Sequence, residues 1–186
     1  MTVGNISALV QSNVKRMLAF SSVSHAGYLV MGVLVKDGAG ISAILFYLVV
    51  YSAMNLGAFA IISLVEKDEQ EVAFKDYRGM ASRNPLLSVA MALFMISLAG
   101  FPPTAGFVAK YGLFSAAIEK GYVWLVIIAV LNTLVSFYYY FRIIVNMYMR
   151  NEKEGLQPSM RFLTAGLIAL FVAAVFLFGI TPGYLL

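Results

Sequence analysis

Between Pro85 and Ile118 the chain carries an apolar run too long for one membrane helix, interrupted by Gly100-Phe101-Pro102-Pro103-Thr104-Ala105-Gly106. As a continuous helix it would reach roughly 50 Å, against a hydrocarbon core of roughly 30 Å. Two prolines remove two backbone donors and disfavour helical geometry in the residues before them. The run therefore reads as two half-helices that meet inside the bilayer, with Lys110 just past the break. Irregular backbone at membrane depth is tolerated only where protein or a water-filled cavity surrounds it, and a lysine there is a functional candidate by default. Broken helices bearing an ionisable group are one way transporters build an ion site.

The surrounding chain agrees with a membrane setting. Hydrophobic residues make up 61% of the sequence and charged residues only 12%, about half the charged fraction of a soluble domain. There is no cysteine, which excludes disulfides, iron–sulfur clusters and thiolate metal sites from the chain. One histidine and few carboxylates leave no expected ligand set for a metal. No basic segment precedes an apolar core and cleavage site at the N-terminus, so insertion is expected to depend on the spans themselves.

Taken in order, residues 1–13 are short and only moderately apolar. They read as the end of a helix that begins earlier, or as an interfacial helix. Spans are expected over Val14–Val35, which holds Ser21, Ser22, Ser24 and His25, and over Ile41–Val65, entered through a Gly38-Ala39-Gly40 turn. Ser52, Asn55, Gly57 and Ala58 near the centre of the second span suit close helix packing. Glu66 to Arg83 mixes both signs of charge and reads as a solvated loop, with room for a short interfacial helix. The broken span follows, then a Glu119-Lys120-Gly121 turn, a span over Tyr122–Tyr148, a polar loop from Arg150 to Pro158, and a last span over Arg161–Ile180 ended by Thr181-Pro182-Gly183. The expected fold is all-α and polytopic, with about five transmembrane helices plus a truncated N-terminal one.

If each segment crosses once, Lys15, Arg16, Lys67, Lys75, Arg78, Arg83, Arg142, Arg150, Lys153 and Arg161 share one side, and Lys36 and Lys120 the other. The positive-inside rule makes the first side cytoplasmic and puts the C-terminus outside. Lys110 belongs to neither side.

Three residues stand out for proton transfer. Lys110 lies too far from either end of its span to snorkel easily to an interface, and a buried ammonium can gain and lose a proton where water and a partner charge approach. His25 lies about ten residues into its span, roughly 15 Å from the cytoplasmic end. A free imidazole titrates near neutrality and can pass a proton between its two nitrogens; a packed histidine bonded to a carbonyl is the plain alternative. Lys15 is balanced between interfacial anchor and proton entry, while Arg16 reads as an anchor. Tyr138, Tyr139 and Tyr140, with Phe137 and Arg142, read as an aromatic belt at the cytoplasmic interface. No nucleotide-binding loop, nucleophile–base pair, redox ligand set or nucleic-acid-binding pattern is visible, which leaves proton or ion movement.

Three stretches, NVKRMLAFSSVSHAGYLVMG (Asn13 to Gly32), YSAMNLGAFAIISL (Tyr51 to Leu64) and SLAGFPPTAGFVAKYGLF (Ser97 to Phe114), resemble the antiporter-like membrane subunits of respiratory NADH:quinone oxidoreductase, complex I. Among these the pattern is most similar to subunit N, and FYYYFRI from Phe137 to Ile143 agrees. The resemblance implies about fourteen helices in two inverted five-helix repeats, each with a broken helix, in a bacterial inner (plasma) membrane. On that scheme residues 1–149 are the second repeat with its first helix truncated, and 150–186 are a loop and the final transmembrane helix. It implies that Lys110 carries protons in the outward half-channel, and that Lys15 and His25 lie on a preceding helix lining a central hydrophilic axis. It further implies that the missing N-terminal helices of the same subunit, other membrane subunits and the lipid bilayer are the partners. NADH, FMN, iron–sulfur clusters and quinone would sit in partner subunits and no redox site in this chain, which would act within a proton-translocating oxidoreductase. The alternative is a subunit of a multi-subunit cation/proton antiporter without redox partners.

Overall fold

The computed structural model describes residues 1–66, 73–150 and 162–181, and among them the fold is helical without strands. The elements are α1 (Thr2–Leu9), α2 (Val14–Val35), α3 (Gly38–Val65), a 3₁₀ turn (Phe74–Tyr77), α4 (Met80–Arg83), α5 (Pro85–Ala99), α6 (Ala105–Glu119), α7 (Val123–Met149) and α8 (Phe162–Ile180). Of these, α2, α3, α7 and Leu163–Ile180 of α8 are each long and apolar enough to cross a membrane. The pair α5–α6 supplies the expected broken span. The polar loop after Arg150, the Pro182-Gly183 pair and residues 67–72 lie outside the described residues.

Local chemistry sets the helix ends. Asn13 opens α2 by accepting a hydrogen bond from the Arg16 amide at 3.0 Å. Asp37 opens α3 by accepting one from the Gly40 amide at 2.9 Å. This cap corrects the expected turn, because Gly38-Ala39-Gly40 is the first turn of α3 rather than a loop before it. Asp37 also meets Lys120 at 2.8 Å, clasping the α2–α3 turn to the α6–α7 turn. The hydrogen bond from the Lys120 ammonium holds the Asp37 carboxyl below the usual carboxylate range.

Helix α5 starts with Pro85 in its first turn, where a missing N–H costs nothing, and ends at Gly100 with a left-handed φ of 86°. The Gly100 amide bonds to Ser97 O (2.9 Å) and the Phe101 amide to Ile96 O (3.2 Å), a Schellman closure of the helix. Four residues later α6 begins, and it passes close beside the end of α5. A Cβ on Gly106 would lie 1.8 Å from the Ser97 carbonyl oxygen, and the Gly106 amide donates to Ser97 Oγ at 3.1 Å.

In lipid, apolar transfer gives little drive for helix association, so close packing and hydrogen bonds hold the bundle. Gly57 at the centre of α3 lets Phe94 of α5 lie directly on the backbone; a Cβ there would come within 2.3 Å of the ring. Helix α3 packs on α2, α5, α6 and α8. Helix α1 packs on α2 and α7 with Asn5 and Ala8 buried, so it is part of the bundle rather than an interfacial helix.

The segment expected to be a solvated loop is docked over its described part. Phe74, Tyr77 and Met80 are buried. Asp76 accepts from the Ala73 amide (2.7 Å), and the Phe74 amide donates to Ser12 O (3.4 Å). Arg142 stacks over the Phe74 ring at 4.1 Å and donates to Gln11 O at 3.1 Å, satisfying a carbonyl just past α1.

Gly106→Ala is expected to destabilise the subunit by about 3 kcal/mol or more through backbone overlap. Gly112→Ala, whose Cβ would meet only Ala43 Cβ at 3.9 Å, is expected to be neutral or slightly stabilising by helix propensity. Thermal unfolding of the two variants in detergent, side by side, checks this.

Candidate functional site

Lys110 sits one and a half turns into α6 and points back across the break. It is 5% exposed. Its Nζ donates to the carbonyls of Leu98 and Ala99, each at 3.0 Å. These two carbonyls end α5, beyond those that the Gly100 and Phe101 amides satisfy, and lie at the negative end of the helix dipole. Two charge-assisted hydrogen bonds contribute about 3–6 kcal/mol in all, and the dipole up to about 2 kcal/mol. The cost of taking an ammonium out of water is also several kcal/mol. The opposing quantities are of the same size, the condition under which a modest change of nearby charge moves a proton.

His25 is buried on α2 with both ring nitrogens engaged: Nδ1 lies 2.6 Å from the Tyr47 hydroxyl and Nε2 3.1 Å from the Tyr140 hydroxyl. A neutral imidazole donates through one nitrogen and accepts through the other. A proton arriving at one side and leaving from the other reverses the direction of the whole Tyr47–His25–Tyr140 chain. The ring also stacks on Tyr51 with centroids 4.6 Å apart, and Tyr51 donates to Ser22 Oγ at 2.7 Å. Neither plain carbonyl bonding nor solvent exposure describes this histidine.

Tyr28 lies between the two. Its ring is 5.3 Å from Lys110 Nζ and meets the His25 ring edge-on with centroids 5.9 Å apart. Its hydroxyl lies 3.1 Å from Thr133 Oγ1 on α7. A second buried polar group joins α1 to α7: Tyr139 donates to Asn5 Oδ1 at 2.7 Å, and Asn5 Nδ2 donates to Asn132 O and Oδ1 at 3.0 Å each. The tyrosine rings of 139 and 140 are in contact, with centroids 4.5 Å apart.

The structure thus brings Lys110 and His25 together across one aromatic ring, while Lys15 stands apart. Lys15 is ion-paired with Glu66 at the ends of α2 and α3, and the pair is partly solvent-exposed. Such a pair contributes about 0–1 kcal/mol.

The aromatic-belt reading fails for Tyr139 and Tyr140. Tyr138 is 62% exposed, whereas Tyr139 and Tyr140 are 1% and 0% exposed and belong to the interior network. Tyr28, Tyr47, Tyr51, Asn5 and Asn132 were not singled out by sequence. One signal was available: Ser21, Ser24, His25 and Tyr28 recur at three- and four-residue spacing, which puts them on one face of α2. Tyr47 and Tyr51 repeat the same spacing on α3.

Tyr139→Phe leaves Asn5 Oδ1 buried without that donor and is expected to cost about 1–3 kcal/mol. Tyr138→Phe is expected to stay within about 0.5 kcal/mol. Thermal unfolding in detergent separates the two.

The family described as NADH:quinone oxidoreductase/Mrp antiporter, TM, matches residues 1–136. NADH-quinone oxidoreductase subunit N of Trichlorobacter lovleyi is 54% identical over 155 residues, covering 83% of this chain and 32% of that protein. NADH-quinone oxidoreductase subunit N 1 of Chloroherpeton thalassium is 45% identical over 187 residues, covering 100% of this chain and 39% of the relative. The chain therefore spans about a third to two fifths of the length of these curated relatives. A structure of respiratory complex I from Thermus thermophilus with bound aureothin contains a chain that superposes with a TM-score of 0.86 at 35% identity, over 98% of this chain and 41% of that one. With the broken helix, its buried lysine and a family match across most of the sequence, this chain belongs to the NADH:quinone oxidoreductase/Mrp antiporter transmembrane family.

Proposed function

We propose that this chain is the C-terminal part of a proton-translocating membrane subunit of NADH:quinone oxidoreductase, in which Lys110 carries the proton and His25 relays it. The observation that carries this reading is the buried Lys110 ammonium, held by the Leu98 and Ala99 carbonyls at the helix break and next to the Tyr28–His25 network. Electron transfer from NADH to quinone would occur in other subunits that hold NADH, FMN, iron–sulfur clusters and quinone; this chain has no cysteine to ligate a cluster. A change of charge in those neighbours would tip the balance at Lys110. Lys15, with Glu66 at the cytoplasmic ends of α2 and α3, would serve as proton entry.

Residues 1–149 would form the second five-helix repeat and 150–186 the closing loop and helix. The N-terminal helices of the same subunit and the other membrane subunits would cover the remaining faces in a bacterial inner membrane. The antiporter alternative uses the same broken helix and lysine. The relatives named above favour the oxidoreductase, since both carry the name of its subunit N.

Lys110→Ala in the assembled complex is expected to lower NADH-driven proton transport at least about tenfold, the scale of a lost proton-transfer group. Proton transport into inverted membrane vesicles, normalised to NADH oxidation, is the measurement; transport at the native rate would sink the role. Sodium-dependent proton exchange without NADH would favour the antiporter instead.

The proposed orientation is tested separately. Cysteines placed by Thr181→Cys and Lys120→Cys are expected to react with an impermeant maleimide from outside the cell, and one placed by Lys75→Cys only after the membrane is opened. The reverse pattern would invert the topology.

A further inference from the structure

The Lys110 ammonium is stabilised almost entirely by neutral groups. Two of its hydrogen bonds go to carbonyls, and among the described residues no carboxylate is paired with it. Its remaining neighbour of note is the Tyr28 ring, whose centroid lies 5.3 Å from Nζ, within the range where an aromatic face attracts a cation. That attraction strengthens when water is excluded, and Tyr28 is 1% exposed.

The ring is fixed from two sides. Its hydroxyl meets Thr133 Oγ1 of α7 at 3.1 Å, and its edge packs against Phe114 with centroids 6.1 Å apart. Phe114 follows Lys110 by one turn of α6, so the helix that carries the lysine also sets the angle of the ring beneath it. On its other edge the same ring touches His25.

We infer that Tyr28 is a positioning residue for Lys110: its aromatic face holds the charged lysine on the α5 carbonyls. The inference rests on the reading of Lys110 as the proton carrier. An amine that has lost its proton loses the cation–π attraction, and its hydrogen bonds to Leu98 and Ala99 lose their charge assistance. The protonation state of Lys110 is thereby coupled to its position, without a fixed counter-charge that would have to be broken each cycle.

The test keeps shape constant and varies the ring's electrostatics alone. In the assembled complex, Tyr28→Phe serves as the reference, and residue 28 is then replaced with mono-, di- and trifluorinated phenylalanine, which progressively withdraw negative charge from the ring face. NADH-driven proton transport per NADH oxidised is expected to fall stepwise, by about three- to tenfold from phenylalanine to the trifluoro ring. A flat or rising series overturns the role of Tyr28, because a merely space-filling ring would not respond to fluorination. Lys110→Ala run in parallel separates the two ideas. Loss of transport in Lys110→Ala with a flat series removes Tyr28 alone; native transport in Lys110→Ala removes the proton-carrier reading and the Tyr28 role with it.

Discussion

The contact between Lys110 and the open end of α5 is the interaction on which the rest of the structure depends. A helix that stops within a bilayer leaves carbonyls with no water to accept from, and an ammonium in the same place has no water to donate to. Each resolves the other's problem, at 3.0 Å to Leu98 O and 3.0 Å to Ala99 O. The approach needs α6 to lie close beside α5, which only a glycine at 106 permits. It also needs α5 to end at Gly100, in a left-handed conformation that leaves room for the lysine stem; a Cβ there would meet Lys110 Cδ at 3.0 Å.

Around that contact the bundle is joined by tyrosines that pack and hydrogen-bond at once. A tyrosine contributes a large apolar ring and a hydroxyl that must find a partner when buried. Tyr47 and Tyr140 place their hydroxyls on the two nitrogens of His25, Tyr28 on Thr133, and Tyr139 on Asn5. Helices α1, α2, α3 and α7 are thus linked through polar groups in a region where apolar contacts alone give little preference for one arrangement over another. The groups that specify the packing are also proton donors and acceptors, and Tyr47–His25–Tyr140 is one hydrogen-bonded chain among them.

The polar edges are tied as well. Lys15 with Glu66, Asp37 with Lys120, and Arg142 on Phe74 and Gln11 O each join two segments that are distant in sequence. The exposed pairs add little energy, but they fix which helix ends lie together. The segment around Phe74 and Tyr77 shows how charge content misleads: Lys75, Asp76 and Arg78 suggest solvent, while the two aromatic residues beside them are buried.

The sequence by itself determined the spans, the break and Lys110. These follow from bilayer thickness, from the missing donors of Pro102 and Pro103, and from the cost of a charge in hydrocarbon, all properties of local composition. It also carried the family, through motifs long enough to be specific. Tertiary structure decided the partners. Nothing in the Tyr138-Tyr139-Tyr140 run says which ring faces lipid, because tyrosine suits an interface and a buried polar network equally well; rotation of α7 against α1 and α2 made the choice. Likewise Tyr28 and Lys110 are 82 residues apart in the chain, and only the packing of α2 on α6 sets one over the other.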